Sequence, residues 1–94
     1  MGPETIGQYG RLLTSDGKVK RWPKKEREKQ FIAEYLQSKF TKGRRYTGPE
    51  VNAILAVGHV FNDHALLRRE LFERHLIERT RDGSAYWVEN DEGA

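Results

Sequence analysis

The stretch that most narrows the possible folds is Leu76-Ile77-Glu78-Arg79-Thr80-Arg81-Asp82-Gly83-Ser84-Ala85-Tyr86-Trp87-Val88. Asp-Gly suits the positive φ angles of a tight turn, and here it stands between two short runs rich in apolar residues. A hairpin is therefore predicted, with Leu76–Thr80 paired to Ser84–Val88 across Arg81-Asp82-Gly83. A two-stranded ribbon is not stable alone in water and has to lie on something apolar. The segment directly before it, reached with no linker, has to supply that surface.

That segment reads as a helix. Asp63 is a good N-cap, Leu67 and Leu71 share one face with Leu66 and Phe72 at its flanks, and the helix is expected to run to about His75. Ala65, Arg69 and Glu73 fall on the opposite face and Arg68 lies to one side. Upstream, Thr47-Gly48-Pro49-Glu50 has capping-box spacing, Val51, Ile54 and Leu55 form the stripe of a short helix, and Gly58 closes it. A turn through His59-Val60-Phe61-Asn62 joins the two.

An earlier helix is predicted from about Pro23 to Lys39, its stripe made of Phe31, Ile32, Tyr35, Leu36 and Phe40. Pro23 fits a first helical turn, where its missing N–H goes unused. Lys24 and Lys25 would make that turn cationic, against the helix dipole, a cost either tolerated or offset by a bound anion. Gly43 then ends the turn, and Arg44-Arg45-Tyr46 reads as a short extended segment.

The resulting order of helix, short strand, helix, turn, helix and hairpin is that of an α+β winged helix-turn-helix, with three helices and a C-terminal two-stranded hairpin. Residues 22–88 form this domain. Residues 1–21 read as a loose tail, Met1–Tyr9, followed by a basic arm or a short hairpin around Asp16-Gly17, and residues 89–94 as an acidic frayed tail.

Composition removes several function classes. Ninety-four residues make one domain, and the absence of cysteine excludes disulfides and thiolate metal sites. No apolar run approaches the ~20 residues of a membrane span, and Met1–Gly10 lacks the marks of a signal peptide, so the expected compartment is the cytoplasm. Charge is divided unevenly. Residues 1–48 hold twelve Lys and Arg against five acids, whereas residues 49–94 hold five Arg against nine acids. The first half thus suits a polyanion and the second does not clearly do so.

Several runs are similar to one bacterial family: Arg21-Trp22-Pro23-Lys24-Lys25, Tyr35-Leu36, Phe40, Tyr46-Thr47-Gly48-Pro49-Glu50-Val51-Asn52-Ala53-Ile54-Leu55, Asp63-His64-Ala65-Leu66-Leu67-Arg68-Arg69-Glu70-Leu71, Leu76-Ile77-Glu78-Arg79 and Asp82-Gly83-Ser84-Ala85-Tyr86-Trp87. Together they span about Lys18 to Val88 and resemble the domain of unknown function 2087. The most specific piece is Leu67-Arg68-Arg69-Glu70-Leu71 with Asp82-Gly83-Ser84-Ala85-Tyr86-Trp87 close behind. The resemblance implies a winged-helix-like module, found alone or fused to regulator-type DNA-binding domains, with a transcription-related role and no assigned catalytic residues. The chain departs from the family pattern at Gly48-Pro49, where a more ordinary helical start is expected.

In a helix-turn-helix the second helix of the motif enters the major groove, and arginine bonds guanine O6 and N7 together. Arg69, with His64 or Arg68, is therefore a candidate DNA contact; the competing reading pairs either arginine with Asp63, Glu70, Glu73 or Glu78. Arg79 and Arg81 on the hairpin are candidates for phosphate, diluted by Glu78 and Asp82. Lys18, Lys20, Arg21, Lys24, Lys25 and Arg27 form a basic stretch that either tracks a phosphate backbone or is a solvated charge run partly paired with Glu26 and Glu28. Arg44 and Arg45 beside Tyr46 extend that patch. Of Trp22, Tyr86 and Trp87, two are expected in the core rather than in a base-stacking platform.

His59, His64 and His75 lack the spacing of a common zinc site, and no Ser-His-Asp set, paired carboxylates, P-loop or dinucleotide fingerprint occurs. The sequence thus points to a non-enzymatic nucleic-acid-binding module for double-stranded DNA, with no cofactor, metal or membrane contact. The alternative is a protein–protein interaction module on the same scaffold, through another protein or a second copy.

Overall fold

The computed structural model describes residues 9–89. It contains a 3-10 turn at Gly10–Leu12 and then helices α1 (Glu26–Gln37), α2 (Gly48–Val57) and α3 (His64–Glu73). Strands β1 (Glu78–Arg79) and β2 (Tyr86–Trp87) complete the chain as an antiparallel pair. Three helices with a C-terminal hairpin form the α+β, winged-helix-like arrangement that the sequence predicts.

Helix α1 begins three residues later than the proline suggests. Lys25 is its N-cap, in an extended conformation, and Pro23 is buried ahead of the helix. The first turn is consequently acidic, with Glu26 and Glu28, which complements the dipole where Lys24 and Lys25 would have opposed it. Phe31, Ile32 and Leu36 form its buried stripe, and Phe40 reaches the core from the turn that follows.

The start of α2 follows its sequence signature. Thr47 Oγ1 accepts from the Glu50 N–H at 3.2 Å, Glu50 Oε1 accepts from the Thr47 N–H at 2.8 Å, and Pro49 sits in the first turn where it removes no hydrogen bond. Val51 and Leu55 are fully buried. Asp63 caps α3 by accepting from the Leu66 N–H at 3.1 Å.

Helix α3 stops at Glu73, short of the expected His75, because His75 takes the left-handed conformation (φ 62°) that ends a helix. The His75 N–H bonds the Phe72 carbonyl at 3.0 Å and the Leu76 N–H bonds the Leu71 carbonyl at 2.9 Å, the paired bonds of a Schellman motif. This motif turns the chain straight into the hairpin and explains the missing linker.

In the hairpin, Glu78 faces Trp87 and Arg79 faces Tyr86. The ladder is shorter than predicted and Ser84 belongs to the loop. Thr80 Oγ1 accepts from the Ser84 N–H at 3.0 Å and the Ala85 N–H at 3.2 Å and donates to Asp82 at 2.8 Å, while Gly83 supplies φ 74°. These bonds draw Ser84 inward before the strands can meet.

The other edge of β2 is covered by Tyr46, which exchanges backbone bonds with Tyr86 at 2.7 and 2.8 Å. The extended segment after α1 is thus the third member of the small sheet. The arm around Asp16-Gly17 doubles back through a Leu13–Val19 bridge, and Val19 pairs onward with His59.

The core joins Val19, Ile32, Leu36, Val51, Leu55, Leu67, Leu71 and Ile77. Tyr9, expected in the tail, instead packs on Phe31 with ring centroids 4.6 Å apart. The rest of both predicted tails, residues 1–8 and 90–94, lies outside the described residues.

Candidate nucleic-acid interface

Between the outer face of α3 and the hairpin lies an open groove of about 290 Å³ lined by Ala65, Arg68, Arg69, Phe72, Arg79 and Tyr86. Three guanidinium groups and no carboxylate form this lining. The helix repeat makes this possible, since residues 65, 68, 69 and 72 share a face three and four apart.

Each arginine is held differently. Arg68 is half-buried and donates from Nη1 to Asn52 Oδ1 on α2. Arg79 lies over the Phe72 ring, 4.9 Å from its centroid. Arg69 is exposed. None of the three bonds Asp63, Glu70, Glu73 or Glu78 in a described ion pair.

Of the four acids that the competing reading pairs with these arginines, Glu70 is engaged elsewhere. Arg74 Nε donates to Glu70 Oε1 at 3.0 Å, and its Nη atoms bond Glu26 and Gln30 of α1. With its side chain 14% exposed, Arg74 pins the end of α3 to α1. These bonds keep the Glu26 carboxyl below its ordinary range and raise the Arg74 guanidinium further.

At the hairpin tip Arg81 is exposed, while Asp82 points back into its own turn. The Thr80 hydroxyl first, and the Ser84 bonds next, depress the Asp82 carboxyl. This acid therefore serves as a turn cap. His64, the first residue of α3, is half-buried and does not line the groove.

Arg44 and Arg45 are exposed and stack on the sheet, Arg44 at 4.9 Å from the Tyr46 centroid and Arg45 at 4.5 Å from that of Trp87. Tyr86 is in the core and Trp22 packs on its edge, but Trp87 lies on the other side of the ribbon. Alternation along a strand dictates this, placing Tyr86 and Val88 inward and Trp87 outward.

The basic stretch is gathered into a separate concavity of about 630 Å³, lined by Arg11, Arg21, Trp22, Lys24, Lys25 and Glu28. It shares no lining residue with the α3 groove. Arg74 lies 5.7 Å from the Trp22 centroid, and five residues of helix separate Arg74 from Arg69, a rotation of about 140°. The two basic clusters therefore occupy different flanks of α3. Lys18 lies 3.9 Å from Asp16, while Lys20 and Arg27 are exposed.

Sequence reasoning missed Asn52, Arg74 and the Phe72 shelf under Arg79. The Glu70–Arg74 spacing of four was a visible signal. Nothing local in the sequence ties Asn52 to Arg68, sixteen residues away.

His59 is a buried, fully bonded turn residue, with Nδ1 2.6 Å from the Leu55 carbonyl and Nε2 2.7 Å from the Asp63 N–H. Among the described residues no group of three or more His, Cys, Asp or Glu is placed to hold a metal ion. No helix among them is long and apolar enough to cross a membrane.

Comparison with curated proteins and with solved structures gives no significant match. A family model does match, and it covers residues 18–88, the whole assembly of helices and hairpin just described. The chain belongs to the family described as uncharacterized protein conserved in bacteria, the domain of unknown function 2087.

Proposed function

We propose that this protein is a non-enzymatic, double-stranded-DNA-binding module of the bacterial cytoplasm with a transcription-related role. The supporting observation is the groove between α3 and the hairpin, where Arg68, Arg69 and Arg79 converge with no carboxylate in the lining. Helix and hairpin meet there as the recognition helix and wing of a winged helix do on a duplex. In this reading Arg69, which has no bonded partner among the described residues, meets base edges. Arg68, braced by Asn52, and Arg79, braced by Phe72, meet phosphates. His64 and Arg81 extend the contact from the helix start and the wing tip.

The test is a fluorescence-anisotropy titration against duplex DNA at two salt concentrations. Two phosphate contacts, from Arg68 and Arg79, imply a slope of log affinity on log salt near −1.8, or a roughly 12-fold loss between 50 and 200 mM. Changing Arg68, Arg69 and Arg79 together to Ala should flatten that slope by about 1.8. Undetectable binding at low salt, or an unchanged slope in the triple variant, would refute the proposal.

A second reading, protein–protein interaction, draws on Val57 and Val60, which are 68% and 55% exposed beside the α2–α3 turn. Under it, V57E/V60E would abolish self-association or capture of a partner, while Arg69→Glu would leave nucleic-acid binding unaffected.

A further inference from the structure

We propose that the concavity ahead of α1 is a separate site for a nucleoside phosphate, with Arg21, Lys24 and Lys25 on the phosphate groups and the Trp22 indole against the base.

The argument begins with charge. Four cations and one carboxylate line the concavity. That carboxylate, Glu28, is 7% exposed and is bonded by Arg11. Glu26, the next nearest acid in the chain, is engaged by Arg74. Both acids of the first turn of α1 are thus neutralised by arginines from elsewhere in the fold. Arg21, Lys24 and Lys25 are exposed, with no bonded acid among the described residues. Three like charges on one wall, with Glu28 already taken by Arg11, repel one another, and an anion seated among them relieves that repulsion.

Shape and chemistry then select the anion. About 630 Å³ lies inside the range of small-molecule sites, roughly 300–1,000 Å³. Trp22 is half-buried and forms part of the wall. The ring packs on the core and under Arg74, and the part of the indole that lines the concavity is what a flat base would meet. A bare phosphate would leave this aromatic wall unused. A duplex backbone is convex and would follow the α3 groove, on the other flank of α3. A phosphorylated ligand carrying an aromatic base uses both the cations and the indole. This site stands apart from the DNA-binding proposal and does not require it.

Trp22 reports on its own site. Trp87 is the second of the two tryptophans, so Trp87→Phe leaves Trp22 as the only indole emitter. In the W87F protein, titration with ADP should change the emission saturably and raise Tm, as any ligand selective for the folded state does. Pyrophosphate should bind at least about tenfold more weakly than ADP, since it lacks the base. R21A/K24A/K25A, whose three side chains are exposed and whose folding is checked by circular dichroism, should weaken ADP by more than about tenfold. R69A/R79A should leave ADP binding intact.

No saturable response to ADP up to about 1 mM would overturn the proposal, as would a response that survives R21A/K24A/K25A. Equal binding of pyrophosphate and ADP would overturn the indole–base contact. A signal from duplex DNA alone, with none from ADP, would give these cations to the nucleic-acid face and overturn the nucleotide site, leaving the groove reading standing.

Discussion

Replacing His59 by Phe tests what joins α2 to α3. A backbone N–H can only donate, so the 2.7 Å bond from Asp63 makes His59 Nε2 an acceptor. The ring hydrogen therefore sits on Nδ1 and is donated to the Leu55 carbonyl at 2.6 Å. Both bonds end on backbone: one at the last turn of α2, the other at the N-cap of α3. Phe would keep an aromatic ring edge-on to Phe61, whose centroid is 4.5 Å away, and would remove both bonds. The Leu55 carbonyl retains the Gly58 N–H at 3.0 Å, so its loss is partial. The Asp63 N–H loses its partner, the buried His59 ring. An orphaned donor costs about 1–3 kcal/mol and a lost net bond about 1 kcal/mol, so His59→Phe should destabilise by about 2–3 kcal/mol. Against a typical 5–15 kcal/mol total, that is a large fraction. For a domain of this size it lowers Tm by roughly 10–20 °C. Urea unfolding followed by circular dichroism measures the difference, and imidazole ¹⁵N shifts of the native protein should show the Nδ1–H tautomer. A variant within about 0.5 kcal/mol of the native protein would refute the reasoning, because the two bonds would then contribute nothing.

Two further outcomes follow from the hairpin and its approach. His75→Gly should stabilise the protein by about 1 kcal/mol in the same urea assay, since His75 holds φ 62° at the end of α3, where a β-carbon is strained and glycine is not. Asp82 titrates below the ordinary carboxylate value when folded, through the Thr80 and Ser84 bonds, so its contribution is complete above that value and is lost as pH falls through the folded one. Asp82→Asn should therefore lower the urea midpoint at pH 7 and flatten its decline on acidification below about pH 4; the remaining decline belongs to Asp16, Glu26 and Glu50, which are depressed in the same sense.

The sequence was most legible where a feature depends on near neighbours. The Thr47/Glu50 box and the Asp63 cap are each completed within a few residues and form as read, whereas the Asp-Gly turn forms in the predicted place but with positive φ at Gly83 alone and with Ser84 in a longer loop. It was least legible at ends set by competition. Pro23 marks a permitted helix start, but Glu26 and Glu28 suit the dipole better, and the helix begins with them. Thr80 was read as the last residue of a strand, and its hydroxyl makes it the organiser of the loop.

By itself, then, the sequence determined the element order, the buried stripes and the cysteine-free, packing-dependent character of the domain, because periodicity and capping act over a few residues. Which arginines stand free was decided only by the tertiary structure. Arg74 and Glu26 are 48 residues apart in the chain, and Arg68 and Asn52 are 16 apart. Once Arg74 takes Glu70 and Glu26, Arg68, Arg69 and Arg79 are left around one groove, and Arg21, Lys24 and Lys25 around another. Ion pairing is settled by distances between side chains, and those distances exist only after the helices have packed.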